Sequence, residues 1–297
     1  MKKVLVIVVT YNGMRWLQRC LDSVYDQADV YVFDNDSTDG SADFVASHYP
    51  SAKLVRSAEN LGFSVPNSKG FEYAVKKGYE YVYLLNQDAW LEPGALDLLV
   101  AAAGAHPEYG VLSPMQYQDG YEKLDRQFEK RYARAKGPRY DNNVAKGRVI
   151  PSEASGSPVE VSRIMAAHWL VPVTVIGRIG PFEETLFPLY GQDDEWCQRL
   201  HFFGLKVGVV PAARAVHDRA YRPESKEKLA YRNFYTGSLV RLCRYDRPLW
   251  LNFSFIVPFA FVKAFKYRSL LPFKHLGQIF KDLPAVKELR SRIRARA

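Results

Sequence analysis

Val4-Leu5-Val6-Ile7-Val8-Val9, closed by Thr10-Tyr11-Asn12, is the stretch that decides the fold. An apolar run of this length without polar alternation reads as a strand covered on both faces, the habit of parallel sheets flanked by helices. Behind Met1-Lys2-Lys3 it superficially resembles a secretory leader. Its apolar core is too short, however, and Thr10-Tyr11-Asn12 stands where a small-residue cleavage site should follow.

Working outward, the chain alternates. Met14 to Tyr25 reads as a helix with Trp16, Leu17, Leu21 and Val24 on one side, and Val30 to Phe33 as a strand ending at Asp34. Ser41 is expected to cap a short helix through His48, followed by a strand over Lys53 to Arg56. Asn67 to Lys77 reads as a helix with Asn67 as its cap, and Tyr81 to Leu85 as a strand ending at Asn86-Gln87-Asp88. A helix from Pro93 to Ala103 precedes a strand at Val111-Leu112-Ser113. This rhythm predicts an α/β fold with a Rossmann-like, mostly parallel, doubly wound sheet. Ligands on such sheets lie beyond the carboxyl ends of the strands. Three polar clusters fall there: Thr10-Tyr11-Asn12, Asp34-Asn35-Asp36 and Asn86-Gln87-Asp88. Residues 117–158 lose the rhythm and are expected to form loops or an irregular β-extension, before a strand at Val207 to Val210 that stops at Pro211.

At 297 residues, 47% hydrophobic and 14% aromatic, the composition is globular. Cys20, Cys197 and Cys243 lie far apart with no CxxC pair, which argues against a disulfide framework or structural zinc. Asp34-Asn35-Asp36-Ser37-Thr38-Asp39-Gly40 is not a calcium loop: counted from Asp34, Asp39 and Val45 occupy the positions that need glycine and glutamate. No phosphate-cradling P-loop or GxGxxG turn follows the first strand. The Asp34 cluster is therefore either plain turn chemistry or a carboxylate that accepts a nucleotide base N–H. Asn60-Leu61-Gly62-Phe63, running on to Asn67 and Lys69, is a loop into a helix or a wall beside a nucleotide. Asp88 ends a buried strand, where a carboxylate caps a turn or holds a hard divalent cation together with phosphates, with His217 as a candidate second ligand. Tyr190-Gly191-Gln192-Asp193-Asp194-Glu195-Trp196-Cys197-Gln198-Arg199 sets three acids at a helix start. The helix dipole favours them there, and one could act as a general base.

The net charge is +9, concentrated toward a C-terminus that ends Arg290-Ser291-Arg292-Ile293-Arg294-Ala295-Arg296. Pro248 to Val262 is aromatic-rich and almost uncharged, but falls short of the roughly 20 apolar residues that span a bilayer. Followed by Lys263, Lys266, Arg268 and Lys274, it reads as a helix lying in a membrane interface, or else one packed on the domain with a solvated basic face. Nucleic acid is not expected as a partner, because acids at the strand ends would repel a phosphate backbone.

Together these residues resemble the large family of nucleotide-sugar-dependent, inverting glycosyltransferases known as family 2, with the GT-A fold. They are most similar to its bacterial branch that builds surface polysaccharides and includes rhamnosyltransferases. The resemblance covers roughly residues 3–220 and is carried by Val9 to Asn12, Asp34 to Gly40, Asn60 to Phe63, Leu85 to Asp88, Gly180 to Glu184 and Gln192 to Arg199, in that order. It implies a catalytic domain over residues 1–240, with a nucleotide-sugar half (1–105) and an acceptor half (106–240). Residues 241–297, on their own aromatic and basic composition, are expected to form C-terminal amphipathic, basic, membrane-associating helices. The resemblance further implies that Thr10, Tyr11, Asn12, Asp34 and Asn35 line the nucleoside pocket, with Asn60, Asn67 and Lys69 bordering base and ribose. Asn86, Gln87 and Asp88 would contact the nucleotide sugar, and Asp88 with His217 would hold Mg2+ or Mn2+. Asp193 would be the general base, with Asp194 the alternative register because it stands where the family usually has a non-acid. Gln192 and Glu195 also depart from the usual residues around the family's Glu-Asp motif. The donor implied is a UDP- or dTDP-linked sugar and the acceptor a glycan or polyprenyl-linked hydroxyl. The enzyme would be cytoplasmic, peripheral on the inner face of the cell membrane and bound to an anionic surface. A sugar nucleotidyltransferase and a non-catalytic sugar-nucleotide-binding protein are the rival readings.

Overall fold

The computed structural model describes residues 3–132, 157–219 and 226–297. β1 (Val4–Thr10) leads through α1 (Met14–Asp22), β2 (Asp29–Asp34), α2 (Ser41–His48), β3 (Lys53–Arg56) and α3 (Ser64–Lys77) to β4 (Tyr81–Asn86). Next come β5 (Ala89–Leu91), α4 (Ala95–Ala105), β6 (Tyr109–Tyr117) and α5 (Arg126–Tyr132). They are followed by β7 (Val159–Val161), β8 (His168–Pro172), α6 (Val173–Ile179), α7 (Gln192–Phe202) and β9 (Lys206–His217). The chain ends in α8 (Lys226–Leu242), α9 (Leu249–Tyr267) and α10 (Leu271–Arg294).

The strands form one sheet in the order β3-β2-β1-β4-β8-β6-β9-β5, with β7 added on β9. β1 pairs parallel with β2 and β4, β2 with β3, and β6 with β9, while β8, β5 and β7 run against their neighbours. The sheet is thus mostly parallel, as the alternation predicts. β1 explains why its sequence is apolar throughout. Leu5 and Ile7 enter a core shared with Phe71 of α3 and Trp196 of α7, while Val4, Val6 and Val8 enter a second core with Leu17, Leu21 and Leu99 from α1 and α4. Helices therefore cover both faces.

The local expectations need several corrections. Ser41 is the first residue of α2, with Gly40 at the cap position; the Asp39 carboxylate accepts the N–H groups of Met14 and Ser41 at 3.0 Å each, joining the starts of α1 and α2. The Ser41 hydroxyl instead accepts the Gly13 N–H at 3.0 Å. Asn67 lies inside α3, which begins at Ser64, and its amide donates back to the Phe63 carbonyl at 2.8 Å. β9 runs through Pro211 to His217, because the pairing with β6 shifts between Pro114 and Met115 and the extra residues form a bulge. A proline, lacking an N–H, is tolerated at such a place. Within the stretch expected to be irregular, Arg126 to Tyr132 is a helix whose first N–H groups, of Gln127 and Phe128, are capped by Asp125 at 3.0 and 2.8 Å. Residues 133–156 of that stretch lie outside the described residues.

The C-terminal arginines bind back onto the fold, although Arg292 and Arg294 stay exposed. Arg290 is buried and donates to the carbonyls of Leu242, Arg244 and Arg247, Arg294 donates to the Tyr245 carbonyl, and Arg292 pairs with Glu183. These guanidinium groups satisfy the open carbonyls that follow α8. α9 is the one helix among the described residues long and apolar enough to cross a membrane, longer than its uncharged stretch alone promised, and little of it is buried.

Candidate active site

Parallel pairing places the ends of β1, β2 and β4 in a row, with Thr10 beside Asp34 and Val9 beside Asn86. Asp34 is buried; one carboxylate oxygen accepts the Ser37 N–H at 3.1 Å, and the other, Oδ1, is buried with no hydrogen-bond partner. An unmatched buried carboxylate oxygen is costly unless a ligand supplies the donor. Asn35, also buried, ties this strand end to the next loop: its amide donates to the Gly62 carbonyl at 2.7 Å and accepts the Leu61 N–H at 3.2 Å. Asn60 accepts the Gly62 N–H at 3.0 Å, and the Lys69 ammonium lies 5.5 Å from the centre of the Phe33 ring.

Other residues at the strand ends hold one another. Gln87 accepts both the Thr10 hydroxyl and the Tyr11 N–H at 2.8 Å, and its amide donates to the Tyr11 carbonyl at 3.3 Å. Asn12, at φ 50°, accepts the Thr38 N–H at 2.9 Å, and its own N–H donates to Ser37 at 2.9 Å. The Thr10, Asn12 and Gln87 side chains thus brace the loops after β1, β2 and β4, leaving half-exposed Tyr11 turned outward.

Asp88 follows β4 in the turn to β5, and β5 pairs against the end of β9 so that Ala89 faces His217. The Asp88 carboxylate and His217 Nε2 are consequently 3.5 Å apart, and the Asp218 N–H donates to the Asp88 carbonyl at 2.8 Å. Burial pushes the Asp88 carboxyl up, but the hydrogen bond and charge of His217, with Arg219 behind them, outweigh it and hold the group below the ordinary carboxylate value. His217 is buried, and its Nδ1 has no hydrogen-bond partner. An ionised carboxylate 3.5 Å from an imidazole nitrogen is a donor pair that would suit a divalent cation whose remaining positions go to phosphate and water. Among the described residues no group of three or more His, Cys, Asp and Glu side chains gathers to enclose a metal by itself.

Behind this pair stands His168, which the sequence reading missed. Its Nδ1 accepts the Tyr83 hydroxyl at 2.8 Å, its Nε2–H donates to the Val216 carbonyl at 3.0 Å, and its ring meets that of His217 edge-on. Burial, with the charge of His217 acting the same way, pushes the imidazole down to about 3, so it is neutral. His168 lies in an apolar strand with no motif around it; pairing across β4 and β8 is what reveals it.

α7 is fixed from two directions. Loop 186–190 accepts the Phe63 and Ser64 N–H groups on the Pro188 carbonyl at 2.8 and 3.0 Å, next to Gly62 and so to Asn35. Gly62, at φ +76°, has no room for a side chain: a Cβ would stand 2.5 Å from the Pro188 carbonyl oxygen. On the other side Asp194 pairs with Arg163 at 3.3 Å, and segment 163–167 runs back to the Ala167 carbonyl, which accepts the Asn86 N–H at 3.1 Å. Segment 163–167 thus ties the start of α7 to the end of β4. The three acids part ways there. Glu195 is wholly buried in a bidentate pair with Arg199 (3.1 and 2.5 Å) and accepts the Tyr245 hydroxyl. Asp194 is committed to Arg163, and Asp193 accepts the Asp194 N–H at 2.9 Å.

Residues 5–157 match glycosyl transferase family 2, and the chain belongs to that family. It is therefore a glycosyltransferase. It is 27% identical over 239 residues to the N-acetylglucosaminyl-diphospho-decaprenol L-rhamnosyltransferase of Mycobacterium tuberculosis, covering 73% of this chain and 76% of that protein. In fold it is similar to S. aureus TarS 1–349 solved with UDP-GlcNAc, at 16% identity and a TM-score of 0.57, over 100% of this chain and 88% of that one. It is similar also to GalNAc-T7 solved with UDP, GalNAc and Mn2+, at 15% identity and a TM-score of 0.59, over 83% of this chain and 49% of that one. Both structures share the GT-A architecture that the resemblance implies and the mostly parallel sheet that the alternation of strand and helix predicts.

Proposed function

We propose that this chain is an inverting transferase that moves a sugar from a UDP- or dTDP-linked donor to a hydroxyl of a lipid-linked or glycan acceptor in bacterial surface-polysaccharide synthesis. One observation carries the reading: the orphaned Asp34 carboxylate oxygen and the Asp88–His217 pair occupy the same carboxyl edge of the sheet. Uracil and thymine each present a ring N–H, which is what Asp34 Oδ1 lacks. Asp88 and His217 would hold Mg2+ or Mn2+, which would offset charge on the leaving diphosphate. A solved neighbour with UDP and Mn2+ and a relative named for a diphospho-decaprenol acceptor support this choice of cofactor and substrates.

Asp193 removes the proton of the acceptor hydroxyl as its oxygen attacks the anomeric carbon from the side opposite the diphosphate. The bond to the diphosphate oxygen breaks in the same displacement, so configuration inverts and no covalent enzyme intermediate forms. Asp193 is taken as the base because it stands at the aspartate of the Glu-Asp motif that the resemblance implies, with Asp194, paired with Arg163, as the alternative. Incubating the chain with UDP-, dTDP- and GDP-sugars and a polyprenyl-diphosphate acceptor tests the proposal, with product configuration read by NMR. Retained configuration, or no binding of any donor, would overturn it.

A further inference from the structure

We infer that the bare face of α9 and the turn into α10 form a docking surface that lies in the plane of an anionic lipid bilayer. α9 is two-faced. Asn252, Ile256 and Ala260, spaced by one helical turn, are buried. At about 100° per residue, Trp250, Phe255, Phe261, Val262 and Phe265 fall within an arc of about 140° on another side. All five are exposed, Trp250 by 70% and Phe265 by 90%. The turn continues the patch with Leu270, 78% exposed, beside an open apolar groove of about 370 Å3 whose walls include Phe261, Phe265 and Phe273, with Arg268 at its edge. So large a run of bare aromatic surface marks an interaction site.

Charge names the occupant. From Pro248 to Lys281 the chain has no Asp or Glu, yet it carries Lys263, Lys266, Arg268, Lys274 and Lys281. The Lys263 ammonium lies 4.9 Å from the Phe259 ring centre and 5.4 Å from that of Tyr267, so cation and aromatic share a level. Aromatic rings with flanking cations and no acids complement an anionic lipid interface, where the rings enter the headgroup boundary and the cations meet phosphates. The internally bound arginines Arg290, Arg292 and Arg294 take no part.

The orientation follows from α10, which returns along α9: Phe253 stacks on Phe280 at 5.6 Å and Phe261 meets Phe273 at 4.9 Å. α10 carries Asp282 and Glu288 and is bonded through Arg290 to the end of α8. Threading α9 across a bilayer would draw those charges into hydrocarbon. α9 therefore lies flat. α8 links this surface to the site: Thr236 and Val240 pack against Gly191 at the start of α7, and the Phe234 ring lies 5.8 Å from that of Phe259. The start of α7, with Asp193, is thus one helix away from the lipid.

Flotation of the full chain with vesicles of phosphatidylglycerol and phosphatidylethanolamine tests the inference, with pure phosphatidylcholine as the comparison. The parent should float with the anionic vesicles. The double variant Phe265→Glu with Leu270→Glu should bind at least about tenfold more weakly. Lys263→Gln with Lys266→Gln should lose roughly fivefold per cation on anionic vesicles and little on neutral ones. Circular dichroism and donor binding in solution should match the parent in each variant, which separates failed docking from failed folding and from failure of the transferase reading. Phe265→Ser is the milder replacement if the double variant misfolds. Unchanged flotation of the variants overturns the inference. So does retention of the parent in membranes through carbonate extraction, which marks a spanning helix, or loss of a dimer without loss of vesicle binding, which marks the patch as a contact between two copies.

Discussion

Asp88 and His217, one in the turn after β4 and the other at the end of β9, stand 3.5 Å apart because β5 folds back on β9. Removing either partner leaves the other without its neighbour and, on the proposed reading, one fewer ligand for a cation. His217→Ala and Asp88→Ala should each weaken Mn2+-dependent UDP binding on the order of ten- to a hundredfold, the effect typical of losing support around a metal. Calorimetry with UDP, with and without Mn2+, reads this directly. Parental affinity and parental metal dependence in both variants would remove these residues from the site.

The start of α7 separates two neighbouring acids. Asp193→Asn keeps shape and removes the proposed base, so donor binding should persist while transfer falls about 10²- to 10⁴-fold. Asp194→Asn gives up an ion pair with the half-exposed Arg163, worth less than about 1 kcal/mol, and should retain most transfer. The opposite ranking in single-turnover assays would move the base to Asp194.

Much of this was legible before the structure. β1 is apolar because both its faces are covered, and the polar triplets lie at strand ends because α/β sheets place ligands there, so periodicity found both. Asn67 and Ser41 were misread as caps because a cap is a matter of where backbone N–H groups point, which composition does not reveal. The Asp39 carboxylate accepts the N–H groups that open α1 and α2. The arginine-rich C-terminus reads as a basic tail for an anionic partner because nothing local shows that its guanidinium groups meet carbonyls after α8. His168, Arg163 and Tyr245 escaped notice for the same reason: their partners are remote in sequence.

Glu195, Arg199 and Tyr245 form a buried network that joins α7 to the segment after α8. Glu195→Gln strands the buried Arg199 charge and should cost about 3–5 kcal/mol, while Tyr245→Phe removes one hydrogen bond and should cost about 1–3 kcal/mol. Against a total stability of roughly 5–15 kcal/mol the first change threatens the fold itself. Urea unfolding measures both. Equal, negligible losses would mean that the network is open to water.

Gly62→Ala sets a methyl 2.5 Å from the Pro188 carbonyl oxygen at a backbone angle of φ +76°. The loop that carries α7 must retreat, so stability should drop by about 1–3 kcal/mol and transfer should fall more than donor binding does. A variant with parental melting temperature and parental turnover would show that this contact does not position α7.

His168 makes stability depend on pH. Its imidazole titrates at about 3 in the folded chain against an ordinary 6.5, so between those values the unfolded chain binds the extra proton. Stability is then complete above pH 6.5 and declines as pH falls toward 3, by at most about 1.4 kcal/mol per unit. His275, pushed down to about 4 by burial and by Lys274, acts in the same direction. The comparison that isolates His168 is therefore the parent against His168→Phe, each unfolded in urea at pH 5 and pH 7.5 with EDTA present. The parent should lose stability at pH 5. The variant should lose distinctly less, whatever its absolute stability, because the group that takes up the proton on unfolding is gone. Equal losses in the two would mean that His168 is protonated in the folded chain, and that the Tyr83 hydroxyl does not donate to it.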